Sequence, residues 1–393
     1  MSFSFNSPSR SASFSDTEVA AIQGWDMDDR RNLCLTIWVD SQNMQIAMCP
    51  VRIAKKAIYM QPIPVTKCTE VQENFEGLRS AFAKYKCTVV FATMSFAGPV
   101  SQDHVVVTNW QCEARERVIH FTQLPFDIFP LDRRRFMNDL EAASYGIIAR
   151  FLSGSLQSIF DPVWENETTK EPLNLTGSSL VLSIGSGFGT SFICREDSCD
   201  HNCVVSSEAG HGQAVLCSES DPNYQDEVDF IQFVSQKLHG GSHQPEWEDL
   251  CACRGLELAF QFLKKKKRQV ELEICPNYDQ IRQLALSGED SDALTAFRIH
   301  YRFVLRAAQT LALGIQCQRI FLISKRQVKN TQVIKMISDD LRKSFEDHPR
   351  AEWFKRIAVY MQKAESTFSL SGGLFLSRVL AVAHQRQSHL ATS

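Results

Sequence analysis

Two kinds of apolar pattern alternate along the chain. Short runs rich in branched and aromatic residues occur at 33–39, 88–93, 180–184 and 319–323, and a further short run covers 135–138. Runs of this length and composition predict strands buried on both faces. Between them apolar residues recur at helical spacing. After Ser291, a candidate N-cap, the positions Leu294, Phe297, Tyr301, Val304, Ala308, Leu311 and Ile315 fall on one face of a helix reaching about residue 316. Shorter amphipathic patterns predict helices over 141–152 and 226–238. Strands interleaved with helices predict an α/β protein, and no fixed short repeat points to a solenoid or propeller.

At 393 residues the chain exceeds what one compact domain usually needs, so two lobes are expected. The expected division is a disordered Ser-rich tail over 1–30, a small α/β domain over 31–136 completed by a C-terminal helix at 371–388, and a large α/β domain over 137–370. Net charge is only −3, so no global field draws the protein to nucleic acid or to an anionic membrane. No apolar run approaches the roughly 20 residues of a spanning helix, and the first segment lacks the apolar stretch of a secretory signal. A cytoplasmic location follows as the expectation, with room for a homodimer or another protein partner. Several of the thirteen cysteines, among them Cys34, Cys49, Cys68, Cys87 and Cys317, lie in apolar surroundings, as expected of reduced thiols. Cys194, Cys199, His201 and Cys203 look like zinc ligands at first, but their spacing lacks two tight pairs, and no metal site is expected. The run Lys264-Lys265-Lys266-Lys267-Arg268 reads as a solvated loop after a helix near 256–263.

Five segments carry the candidate chemistry. They are Ala97-Gly98-Pro99-Val100; Val107-Thr108-Asn109-Trp110; Met137-Asn138-Asp139-Leu140-Glu141-Ala142; Gly185-Ser186-Gly187-Phe188-Gly189; and Ser207-Glu208-Ala209-Gly210-His211. In this order and spacing they resemble the bacterial-type glucokinase family, including its protist branch, over nearly all of the chain except its ends. The resemblance implies the two-lobed actin-like ATPase (sugar kinase, ribonuclease H-like) fold. It also implies ATP with Mg2+ as phosphoryl donor and glucose or a related hexose as acceptor. A ring of hydroxyls needs convergent carboxylates, amides and imidazole, and the family motifs put Asn109, Asn138, Asp139, Glu208 and His211 in those roles. A looser match of Ala252-Cys253-Arg254-Gly255-Leu256 adds Glu248.

Asp139 is the expected catalytic base. A carboxylate at the carboxyl end of a strand can accept the 6-hydroxyl proton and aim the oxygen at the γ-phosphate. The competing explanation is that Asn138 and Asp139 only cap the helix that follows. Gly185, Ser186, Gly187 and Gly189 are expected to bind the nucleotide: glycine lets backbone amides approach a phosphate, and the resemblance implies that this turn holds ATP phosphates. It also implies a nucleotide role for Gly372 and Gly373, since the family's final glycine-rich segment survives as Ser371-Gly372-Gly373.

Two family elements are missing. The Gly-Asp-x-Gly-Gly-Thr turn expected near residue 40 reads Val39-Asp40-Ser41-Gln42-Asn43, and the Gly-Gly pair expected after 319–323 reads Ser324-Lys325-Arg326. Two functions stay open at this point: a hexose kinase of weak activity, and an inactive relative that serves as a sugar sensor, scaffold or interaction protein.

Overall fold

The computed structural model describes residues 14–195, 202–268 and 274–392. They divide into two compact units. One is built from the chain up to Ala149 together with the chain from Thr367, and the other from Arg150–Ser366.

The first unit opens with α1 (Asp16–Gln23) and α2 (Met27–Arg31). Ser15 Oγ accepts the Glu18 amide, and the Glu18 carboxylate accepts the Ser15 amide. This reciprocal cap nucleates α1, and Ile22 and Trp25 bury against the core. Residues 14–30 are therefore structured, which corrects the expectation of a disordered tail over 1–30 for that stretch; residues 1–13 lie outside the described residues. The sheet is formed by β1 (Leu33–Val39), β2 (Asn43–Pro50), β3 (Ile58–Tyr59), β4 (Ile63–Pro64), β5 (Val89–Phe96) and β8 (Arg134–Asn138). Its order is β3-β2-β1-β5-β8, with β4 also on β2. The hairpin β1–β2 is antiparallel, whereas β1, β5 and β8 run parallel. A separate small ribbon pairs β6 (His104–Val106) with β7 (Val118–His120).

Helix α3 (Cys68–Tyr85) sends Val71, Phe75, Leu78 and Phe82 into the core that holds Leu35 and Ile37 of β1. On the opposite face the C-terminal helix Phe368–Thr392 packs Leu370 and Leu374 among Cys34, Cys49 and Phe91. Both faces of β1 are thus covered, which explains its unbroken apolar run. The last strand leads directly into α4 (Asp139–Leu152). Because β8 pairs with β5 through Asn138, and Ala142 of α4 packs against Leu376, this unit runs to Ala149 where the sequence placed its boundary after 136.

The second unit repeats the same topology on different residues. Its strands are β9 (Phe160–Pro162), β10 (Ser179–Ile184), β11 (Phe188–Arg195), β12 (Asn202–Ser207), β13 (Arg319–Ile323) and β14 (Ala358–Gln362), in the order β12-β11-β10-β13-β14-β9. An antiparallel hairpin β10–β11 again precedes parallel neighbours, here β13 and β14. Its helices are α5 (Tyr224–His239), α6 (Trp247–Cys251), α7 (Cys253–Arg268), α8 (Tyr278–Ser287), α9 (Ser291–Gly314), α10 (Lys325–Glu346) and α11 (Ala351–Phe354). Asp290 rather than Ser291 caps α9, accepting the Asp292 amide at 3.0 Å.

The basic run is not a loop. It lies inside α7, where Lys264 is buried and bonded to Asp290 and, at 3.0 Å, to Asp292, while Lys266 reaches Asp226 and Asp229. The solvated-loop expectation failed because carboxylates far along the chain supply the partners a buried ammonium requires.

Candidate functional site

In the first unit the parallel strands set the site. Val39, Phe96 and Asn138 are in register across β1, β5 and β8, so Asp40, Ala97-Gly98 and Asp139 all emerge at the carboxyl edge of one sheet. Such edges are where open α/β sheets place ligands. Asn138 Nδ2 donates to the Gly98 carbonyl at 3.2 Å, and its Oδ1 accepts the Leu140 amide at 2.8 Å. One side chain therefore joins two of the sequence motifs and caps α4. Asn138 thus caps the helix, as the competing explanation for the Asn-Asp pair required of it. Asp139, half-buried beside it, has its backbone carbonyl held by Ser369 Oγ at 2.9 Å. Asn109 lies in the exposed turn that follows β6.

In the second unit Glu208 and His211 lie at the end of β12 and in the single 3₁₀ turn Ala209–His211. Both are exposed, and His211 Nε2 stands 3.9 Å from Glu208 Oε2. His211 Nδ1 is bonded at 2.8 Å to Glu246, a residue the sequence reading missed. The hydrogen bond from Glu246 raises the imidazole above its ordinary 6.5, against the opposing effect of partial burial. Glu246 is itself fixed, because it precedes α6 in a capping box with Asp249. Asp249 is buried and is held by His239 at 2.9 Å and Arg254 at 2.7 Å. The signal for Glu246 was present as Glu246-Trp-Glu-Asp249, an acidic pair at capping-box spacing, but nothing in the sequence tied it to His211.

Glu248 behaves differently from its expected role as a sugar ligand alone. Its Oε2 accepts the Phe188 amide at 3.1 Å and its Oε1 accepts Arg254 at 3.3 Å. The carboxylate thus braces the Gly185–Gly187 turn between β10 and β11. A Cβ at Gly187 would stand 2.7 Å from Glu248 Oε2, so glycine is what allows this approach. Within the turn the Gly185 amide donates to the Gly187 carbonyl. The amides of Ser186 and Gly187 have no hydrogen-bond partner among the described residues, which leaves two donors for an anion. Gly189 lies in β11, paired with Ser183.

The topologically equivalent turn of the first unit is closed. Asp40 Oδ1 accepts the amides of Gln42 and Asn43, each at 2.7 Å, and the Asp40 amide donates to the Asn43 carbonyl. The donors that would cradle a phosphate are engaged by the chain's own carboxylate. Gly372 and Gly373 have a packing role within the first unit. They lie beyond the first turn of the C-terminal helix, so their amides belong to its ladder. A Cβ on Gly372 would collide with the Ala142 carbonyl of α4, and one on Gly373 with Thr36 Oγ1. These glycines serve close packing. After β13, Ser324 Oγ caps α10 by accepting the Gln327 amide, and the Arg326 guanidinium stacks on the Tyr278 ring.

In the cysteine cluster, Cys199 and His201 lie outside the described residues, and Cys251 and Cys253 are buried in the core of the second unit. Among the described residues no helix is long and apolar enough to cross a membrane.

Comparison with known proteins places this architecture. The family model described as Glucokinase matches residues 42–372. Glucokinase 1 of Trichomonas vaginalis is 31% identical over 374 residues, covering 94% of this chain and 99% of that protein. The probable glucokinase 2 of the same organism is 34% identical over 321 residues, covering 80% and 84%. Among solved structures, glucokinase from Balamuthia mandrillaris in complex with glucose superposes with a TM-score of 0.82 at 22% identity, covering 93% of this chain and 99% of that one. The fold is the sugar-kinase, actin-like ATPase type that the motifs implied.

Proposed function

The chain belongs to the glucokinase family, and we propose that it transfers the γ-phosphoryl group of ATP to the 6-hydroxyl of glucose or a close hexose relative. The observation that carries this reading is the division of labour at the end of β8. Asn138 caps α4 and ties it to Gly98, and this fixes the strand end from which Asp139 emerges at the carboxyl edge of the sheet. In the reaction Asp139 takes the proton from the attacking hydroxyl and aligns its oxygen. Within the first unit Asn109 and Asn138 are the sugar-binding residues beside Asp139; within the second, Glu208 and His211, with Glu248 beside the glycine turn, are the groups able to bind sugar hydroxyls. The Ser186 and Gly187 amides would hold a phosphate of the nucleotide, whose Mg2+ would supply charge neutralisation.

A second reading, a sugar-binding relative without turnover, has its own support in the first unit. The carboxylate of Asp40 fills the β1–β2 turn, so an incoming phosphate there would meet a negative charge and engaged donors. Calorimetry with glucose and with ATP-Mg2+, followed by an assay for hexose 6-phosphate, separates the two. Turnover that falls on the order of 10²–10⁴-fold in Asp139→Asn, with glucose affinity retained, is the expected outcome. Glucose binding with no nucleotide binding and no product establishes the second reading instead.

A further inference from the structure

Two pairs of cysteines stand directly opposite one another across antiparallel ladders: Cys34 with Cys49 on β1–β2, and Cys194 with Cys203 on β11–β12. Directly opposed residues in such ladders have Cα atoms about 4.5–5.5 Å apart, inside the range of about 4.4–6.8 Å that a disulfide spans. Register therefore permits both crosslinks, and access decides between them. Cys34 and Cys49 are completely buried beneath the C-terminal helix, and burial pushes both thiols up to about 12. They are inert.

The second pair faces outward. In the neighbouring rung Ile193 and Val204 are buried in the core, so alternation turns Cys194 and Cys203 to the opposite face. Cys203 is exposed and Cys194 half-buried; they lie on β12, the end strand of the sheet among the described residues, and on β11 beside it. We propose that Cys194 and Cys203 are an oxidisable thiol pair, a modification site that a peroxide converts to a cross-strand disulfide.

The chemistry balances in two steps. The Cys203 thiolate attacks one peroxide oxygen; an S–O bond forms, the O–O bond breaks, and the leaving oxygen departs as water. Cys194 then attacks the resulting sulfenic sulfur; the S–S bond forms, the S–O bond breaks, and a second water leaves. Two thiols are oxidised and one peroxide is reduced. Burial and the neighbouring Cys203 both raise the Cys194 thiol, so resolution speeds up as pH rises through the alkaline range. Among the described residues buried Cys317 lies near enough to respond to Cys194's charge and is a competing thiol.

The test treats the folded full-length protein with hydrogen peroxide, alkylates remaining thiols and maps peptides by mass spectrometry without reduction. The expected result is loss of two alkylatable thiols and a single crosslinked peptide joining Cys194 to Cys203. Cys34 and Cys49 stay fully alkylated once the product is unfolded. Cys194→Ser and Cys203→Ser each abolish the crosslink, and Cys34→Ser leaves it unchanged. A crosslink through Cys199 or Cys317, oxidation of Cys203 to the sulfinic acid with Cys194 still reduced, or no oxidation of either residue overturns the proposal.

Discussion

The His211–Glu246 contact is a single hydrogen bond, yet it decides what the imidazole can offer a sugar. Nδ1 is engaged by a carboxylate at 2.8 Å, so the neutral ring carries its proton there and presents Nε2 as an acceptor. When protonated, Nε2 becomes a donor instead, and Glu246 holds that state to higher pH. A folded-state value above the unfolded one means that the pair's contribution is complete below about pH 6.5 and fades as pH rises through the raised value. Replacing Glu246 by Gln keeps an acceptor oxygen and removes the charge. The His211 imidazole of Glu246→Gln should then titrate closer to its ordinary 6.5. Histidine NMR titration, with the resonance assigned through His211→Gln, measures this directly. An unchanged midpoint would show that Glu246 does not set the imidazole's charge.

Among the elements, α9 carries a second histidine with the opposite behaviour. His300 is fully buried, its Nδ1 bonded to the Leu250 carbonyl at 2.9 Å, and burial lowers it to about 4. It packs beside Tyr278 and Tyr301, whose hydroxyls bond to Asn330 of α10, and so helps to join α8, α9 and α10. Here the folded value is depressed, so the stability it protects is complete above pH 6.5 and drains away as pH falls toward 4. From that window the second unit should lose about 2 kcal/mol between pH 7 and pH 5 through this residue alone. Urea denaturation at the two pH values should show the difference narrowing by that amount in His300→Leu, even where the variant is less stable at both. The glycines of the C-terminal helix belong to this scale too. The resemblance puts Gly372 and Gly373 among the nucleotide-binding positions, as the family's glycine-rich segment opening the last helix. Only the fold shows the close packing, of Gly372 against the α4 backbone and of Gly373 against Thr36 of β1.

At the scale of the whole molecule, two units of one topology are built from sequences that show no repeat. Each contains an antiparallel hairpin followed by parallel strands, and the equivalent hairpin turns have diverged in chemistry. One keeps free amides between glycines; the other is closed by Asp40. Long-range ion pairs also stabilise the second unit. Lys264 on α7 is buried against Asp290 and Asp292 at the start of α9, so Lys264→Ala strands carboxylates with little access to water and should cost about 3–5 kcal/mol. Lys266→Ala, at an exposed pair, should stay within about 1 kcal/mol. Equal losses in the two denaturation curves would contradict the burial argument.

By itself the sequence determined the strands at 33–39 and 319–323, the long helix ending near Gly314, the family motifs and the absence of glycine near residue 40. Each of these is a local pattern of burial or turn chemistry, which periodicity and composition record directly. Tertiary structure alone decided that Lys264 is buried, that Glu246 holds His211, that Glu248 braces the Gly187 turn, and that Gly372 and Gly373 are packing positions. In every one of those cases the deciding partner lies far along the chain. A residue type states which interactions a side chain is able to make, and only the fold supplies the partner with which it makes them.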